Sequence, residues 1–67
     1  MNWHLLYTTT LYTRAAIIQG KLEENQIPVK IINRQDRMYI TIGDIELYVP
    51  VHLKDVAMGV MNETLKN

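Results

Sequence analysis

Apolar residues fall on even positions at Met38, Ile40 and Ile42, then on odd positions at Ile45, Leu47 and Val49. Successive side chains of a strand point to opposite faces, so one continuous strand cannot keep a single face buried across that change. Something at Gly43-Asp44 must add a residue or reverse the chain. A glycine bulge in one long strand fits, and so does a tight Gly-Asp hairpin. Pro50 then closes the strand.

The rest of the chain alternates between two periods. Trp3, Leu5 and Tyr7 share one parity, which reads as a strand over Trp3 to Thr8, with Leu6 on the opposite face. Thr9 or Thr10 is placed to cap the helix that follows. Leu11, Ala15, Ile18 and Leu22 form one helical stripe between Leu11 and Asn25. Gly20 sits inside that helix, where a glycine usually marks close packing or nothing functional at all. Asn25 is the expected left-handed terminal residue, and Pro28 forbids continuation. Val29 to Asn33 is the second strand, and 33–37 is a polar turn. Leu53, Val56, Ala57 and Val60 restore helical spacing up to about Leu65. The expected core is Leu5, Ile18, Leu22, Ile31, Leu47, Val49, Ala57 and Val60.

The order strand, helix, strand, strand, helix predicts an α+β fold, ferredoxin-like βαββα. Its three-stranded sheet would have order 2-3-1, with two helices on one face. The fourth strand of such a fold is missing, and it would have paired with the first. The edge formed by Trp3, Leu5, Leu6 and Tyr7 is therefore a candidate for self-association. Leu6, Ile32, Tyr39 and Tyr48 are candidates for the uncovered face of the sheet.

With 67 residues the chain is one domain, 1–67, burying only roughly 60% of the surface it exposes when unfolded. It has no cysteine, so no disulfide or thiolate metal site reinforces a thin core, and a homodimer is the remaining device. Seven basic residues balance seven acidic ones, which argues against nucleic acid as partner. Apolar runs are too short for a bilayer, so no membrane partner is expected. Lacking cysteine and an export pattern, the chain is expected to be cytoplasmic.

Three stretches carry a resemblance. They are Tyr7-Thr8-Thr9, the run from Ala15 through Ile18, Gly20 and Leu22-Glu23-Glu24-Asn25 to Ile27-Pro28-Val29, and Gly43 with Ile45-Glu46-Leu47-Tyr48-Val49-Pro50. Over nearly its whole length the chain resembles the short bacterial family of prokaryotic signal-transducing proteins. That resemblance implies a ferredoxin-like fold similar to the nitrogen-regulatory signal proteins, and a role in signal transduction. It supplies no catalytic or ligand residues. The family commonly has acidic residues after the Val-Pro pair, where this chain has Val51-His52, which leaves the cap of the second helix open.

Chemistry-bearing residues are sparse. His4 and His52 have no metal-ligand spacing; of the scattered carboxylates Glu23, Glu24, Asp36, Asp44 and Glu46, adjacent Glu23 and Glu24 diverge by about 100° on a helix and the bland reading is solvated charge. No nucleophile-base pattern or phosphate loop is present, so neither an enzyme nor a cofactor is expected. Arg34, Arg37 and Lys30, with Tyr39 close by, form the one local basic-aromatic cluster, suited to gripping a phosphate or an acidic peptide; Arg34, Arg37, Tyr39 and Tyr48 are the candidate partner-binding residues. The expected function is a small binding and regulatory module with an unidentified protein partner. The alternative is a sensor that holds a metabolite or nucleotide at a subunit interface.

Overall fold

The computed structural model describes residues 2–34 and 45–66. Along them run β1 (Trp3–Thr9), α1 (Tyr12–Glu24), β2 (Lys30–Asn33), β3 (Ile45–Pro50), a 3-10 turn at Val51–Leu53 and α2 (Lys54–Leu65). The parity change at Gly43-Asp44, together with Arg37 and Tyr39, lies outside the described residues. Among those described, the sheet has three strands in the order β1-β3-β2, with β3 antiparallel to both neighbours. This is the α+β arrangement and the strand order expected from the sequence.

β3 is central because its alternation is strict. Ile45, Leu47 and Val49 are buried, while Glu46 and Tyr48 are half-covered on the other side. Ala15, Ile18 and Leu22 of α1 and Ala57 and Met61 of α2 join them in one core, with Ile27 at its margin. Ile31, Leu53 and Val60 pack against that core from its rim.

β1 departs from expectation. Its register against β3 shifts between Leu5 and Tyr7: Leu5 lies opposite Tyr48, and Tyr7 lies opposite Leu47. Leu6 is thus the extra residue of a bulge, and such a residue breaks the period of two. Tyr7 and Thr9 follow the buried parity of Leu47 and Ile45, whereas Trp3 and Leu5 follow the outward parity of Pro50 and Tyr48. Leu6, expected on the uncovered face, is 8% exposed and belongs to the core; Leu5, expected in the core, is 43% exposed.

Both ends of α1 are built locally. Buried Thr9 accepts a hydrogen bond at Oγ1 from the Leu11 N–H (3.0 Å), joining the end of β1 to the helix start. Thr9 was an expected cap, but the N-cap position itself is Leu11. At the C-terminus the Gln26 N–H donates to the Glu23 carbonyl and the Ile27 N–H to the Leu22 carbonyl, each at 3.0 Å. This is a Schellman closure, whose apolar contact here joins Ile27 to Leu22 in the core. The left-handed residue is Gln26, at φ 58°, and not Asn25. Asn25 instead donates from Nδ2 to the Lys21 carbonyl at 2.8 Å. A Cβ at Gly20 would meet nothing within 4 Å, so that glycine marks no close packing. After Pro50, the 3-10 turn leads into α2 without a side-chain cap, and Asp55 in the first turn complements the helix dipole.

Two stability measurements test this account. Leu6→Ala is expected to cost about 2–5 kcal/mol in urea unfolding, and Leu5→Ala under about 1 kcal/mol. The reverse ranking would mean that β1 pairs without its bulge. Gln26→Gly is expected to stabilise by about 0.5–1 kcal/mol, because glycine adopts positive φ without the steric cost that glutamine bears. A loss of stability would show that the glutamine side chain contributes more than its backbone costs.

Candidate functional site

Both helices pack on one side of the sheet, and among the described residues no helix covers the opposite side, where Trp3 and Leu5 are exposed and Pro50 is buried. Its composition follows from register. Trp3 lies opposite Pro50; Leu5, Tyr48 and Lys30 form one cross-strand row; Thr8, Glu46 and Ile32 form the next. Such rows bring side chains from three strands into contact distance. The bulge at Leu6 is what delivers Trp3 and Leu5 to this side.

A polar trio sits among these apolar groups. Arg34 donates from Nε to Oε1 of Glu46 at 2.9 Å, and the Tyr48 hydroxyl donates to the same oxygen at 2.9 Å. The Glu46 side chain is only 17% exposed, while that of Arg34 is 61% exposed. The carboxylate is therefore held down within the face and the guanidinium stands up from it. Beside them the Lys30 ammonium lies 5.8 Å from the centre of the Trp3 ring, reaching across β3. That distance is within the range of a cation–π attraction.

The trio shifts its members' ionisation in consistent directions. The hydrogen bond from Arg34, then that from Tyr48, holds the Glu46 carboxyl below its ordinary value. Donation to Glu46, and then its charge, holds Arg34 above the ordinary guanidinium value. Tyr48 is raised chiefly because its hydroxyl donates to Glu46, and secondarily by desolvation.

Of the residues singled out in sequence, Arg34 and Tyr48 are brought together, through Glu46. Glu46 itself was read only as one of several scattered carboxylates. The available signal was its parity: it shares the outward side of β3 with Tyr48. Arg37 and Tyr39 lie outside the described residues. Trp3 and Leu5 stand on the open face, whereas Leu6 is buried and Tyr7 is half-buried against the core. The Tyr7 hydroxyl accepts from Arg14 at 3.4 Å. β1 occupies one edge of the sheet.

The remaining candidates gather no site. Half-buried His4 pairs across from Val49, and His52 is exposed in the 3-10 turn. Among the described residues no three His, Cys, Asp or Glu side chains are grouped to hold a metal ion. Glu23 and Glu24 bond separately, to Gln19 and Lys21. Between the helices runs a groove of about 600 Å³, lined by Lys21, Asn25, Val56, Val60 and Glu63 among others. Its walls are solvated helix surface. Among the described residues no helix is long and apolar enough to cross a membrane. No protein-family model, curated protein or solved structure matches this chain.

The trio makes stability depend on pH with a definite sign. A carboxyl with a lowered native value binds fewer protons folded than unfolded, so it stabilises above the ordinary glutamate value, about 4.3. That contribution is lost as pH falls through the lowered native value. Urea midpoints of wild type and Glu46→Gln should therefore differ at neutral pH and converge in acid. A gap that persists unchanged through the acid range would show that the charge of Glu46 is not its source.

Proposed function

We propose that this protein is a small cytoplasmic binding and regulatory module, acting in signal transduction through protein contacts made by the open face of its sheet. The observation that carries this reading is the exposure on one face of Trp3 (36%) and Leu5 (43%) around an ordered Arg34–Glu46–Tyr48 group. Contiguous exposed apolar surface rimmed by polar groups marks an interaction site, and aromatic residues with arginine are the types enriched there. The reading is non-catalytic: Arg34, Glu46 and Tyr48 are engaged with one another, and among the described residues no base is aimed at a nucleophile. The element order supports a ferredoxin-like assignment, and the motif resemblance to the signal-transducing family points the same way. A thin core without disulfides adds a reason for a second copy to dock at this sheet, making the protein a homodimer.

Site-specific photocrosslinking in cells tests the proposal. A crosslinker at Leu5 is expected to form discrete protein adducts, while one at Asp55, on α2, forms few. An adduct of twice the chain mass would identify a second copy as the occupant. Equal yields from the two positions would remove the basis for an open-face interface.

A further inference from the structure

β1 is an edge strand without the usual guards. Among the described residues no strand pairs with it on the side away from β3. Edge strands are commonly blunted by charged side chains or proline, yet Trp3–Thr9 contains no Lys, Arg, Asp, Glu or Pro. Trp3, Tyr7, Thr8 and Thr9 are of the types enriched in strands. Only the bulge at Leu6 interrupts the edge, and it divides a regular stretch before it from a short one after. The later stretch is tied down, with Thr9 buried and bonded into the start of α1.

The ladder with β3 sorts the backbone of the earlier stretch. The Val51 N–H donates to the Asn2 carbonyl at 3.0 Å. Bonded and non-bonded pairs alternate in an antiparallel ladder, so Asn2 and His4 turn their backbone groups toward β3, and Trp3 and Leu5 turn theirs away. The residue opposite Trp3 agrees with this, since Pro50 has no N–H to give. Trp3 and Leu5 are also the two residues of β1 whose large apolar side chains are exposed.

We infer that β1 pairs antiparallel with β1 of a second copy, about a two-fold axis at His4. In that register Trp3 lies opposite Leu5 of the other copy, and Leu5 opposite its Trp3. Each such pair exchanges two backbone bonds, so the outward N–H and C=O of both residues are used. Trp3 then packs beside the other copy's leucine, covering the two apolar side chains that the fold leaves exposed. A register centred on Leu5 would carry Trp3 onto Tyr7, beyond the bulge, and one centred on Trp3 would lose the leucine contact. The stretch carries no formal charge, so its pairing with itself sets no like charges opposite each other. The bulge ends the contact and the pairing consumes the edge, so the assembly closes as a dimer. This inference rests on the reading of the sheet as the place where a second copy docks, and it names the segment and the register.

Light scattering and amide hydrogen exchange test it. Wild type is expected to be a dimer at high micromolar concentration, with the Trp3 and Leu5 amides protected only as far as the dimer is populated. Leu5→Pro removes an N–H that does not serve the β3 ladder, so it should give a folded monomer. His4→Lys and His4→Asp each bring like charges together on the axis. Each alone should weaken dimerisation at least about tenfold, and an equal mixture should restore it as the heterodimer. Variants that had merely unfolded would not rescue one another. A monomeric wild type, a dimer with its Trp3 and Leu5 amides in fast exchange, a dimer indifferent to Leu5→Pro, or a mixture that fails to recover would overturn the inference. If it fails while crosslinks from Leu5 still exceed those from Asp55, the exposed side of the sheet binds protein in another way and only the strand pairing is lost.

Discussion

The single extra residue in β1 decides what both sides of this sheet are. With Leu6 and Tyr7 together facing Leu47, Leu6 enters the core, and the residues before it change sides. Without the bulge, Trp3, Leu5, Tyr7 and Thr9 would share one face. That face would have to accommodate a tryptophan against the small surface presented by α1 and α2, and Thr9 would lead the chain into its helix from the same side. The bulge separates the two demands. Bulky aromatic surface goes outward, while Leu6 and Thr9 serve the core and the helix start.

The core that results is narrow, so its margins matter in proportion. Ala15 and Ala57 bring the two helices close to the sheet, and Leu22 and Ile27 close the far end of α1. The Schellman closure requires a residue of positive φ one place after Asn25, and that place is Gln26. Glutamine is a strained occupant there. The strain is tolerated because the same backbone turn sends Ile27 into the core, and burial of such a side chain stabilises by about 1.5–3 kcal/mol. Local conformational preference yields to burial at this corner.

The order of elements and of strands was legible because each depends on apolar periodicity, which is strong in α1 and β3. The facing of β1 was not. Alternation of Trp3, Leu5 and Tyr7 is a sound reading of an unbroken strand, and only the unbroken apolar run Leu5-Leu6-Tyr7 hints that a residue has been inserted. The left-handed terminus was displaced by one position for a related reason: residue preference favours asparagine, whereas the destination of Ile27 selects the residue before it. In the candidate site, Arg34 and Tyr48 were recognisable as types. Their link through Glu46 depends on the register of β2 against β3, and no local pattern encodes register across so long a separation in sequence.

Register also explains how a chain of zero formal net charge acquires a polar bias. On the helical side the charges largely neutralise one another over short distances: Lys21 with Glu24, Lys54 with Asp55 and Lys66 with Glu63. These are exposed pairs of near neighbours, each worth little and screened by salt. On the open face the pairing is long-range and unequal. Arg34 bonds the one carboxylate of β3, which lies low between Arg34 and Tyr48, while the Lys30 ammonium rests on the Trp3 ring. The helices thus present a locally balanced surface, and the sheet presents aromatic and aliphatic groups beside a positive margin.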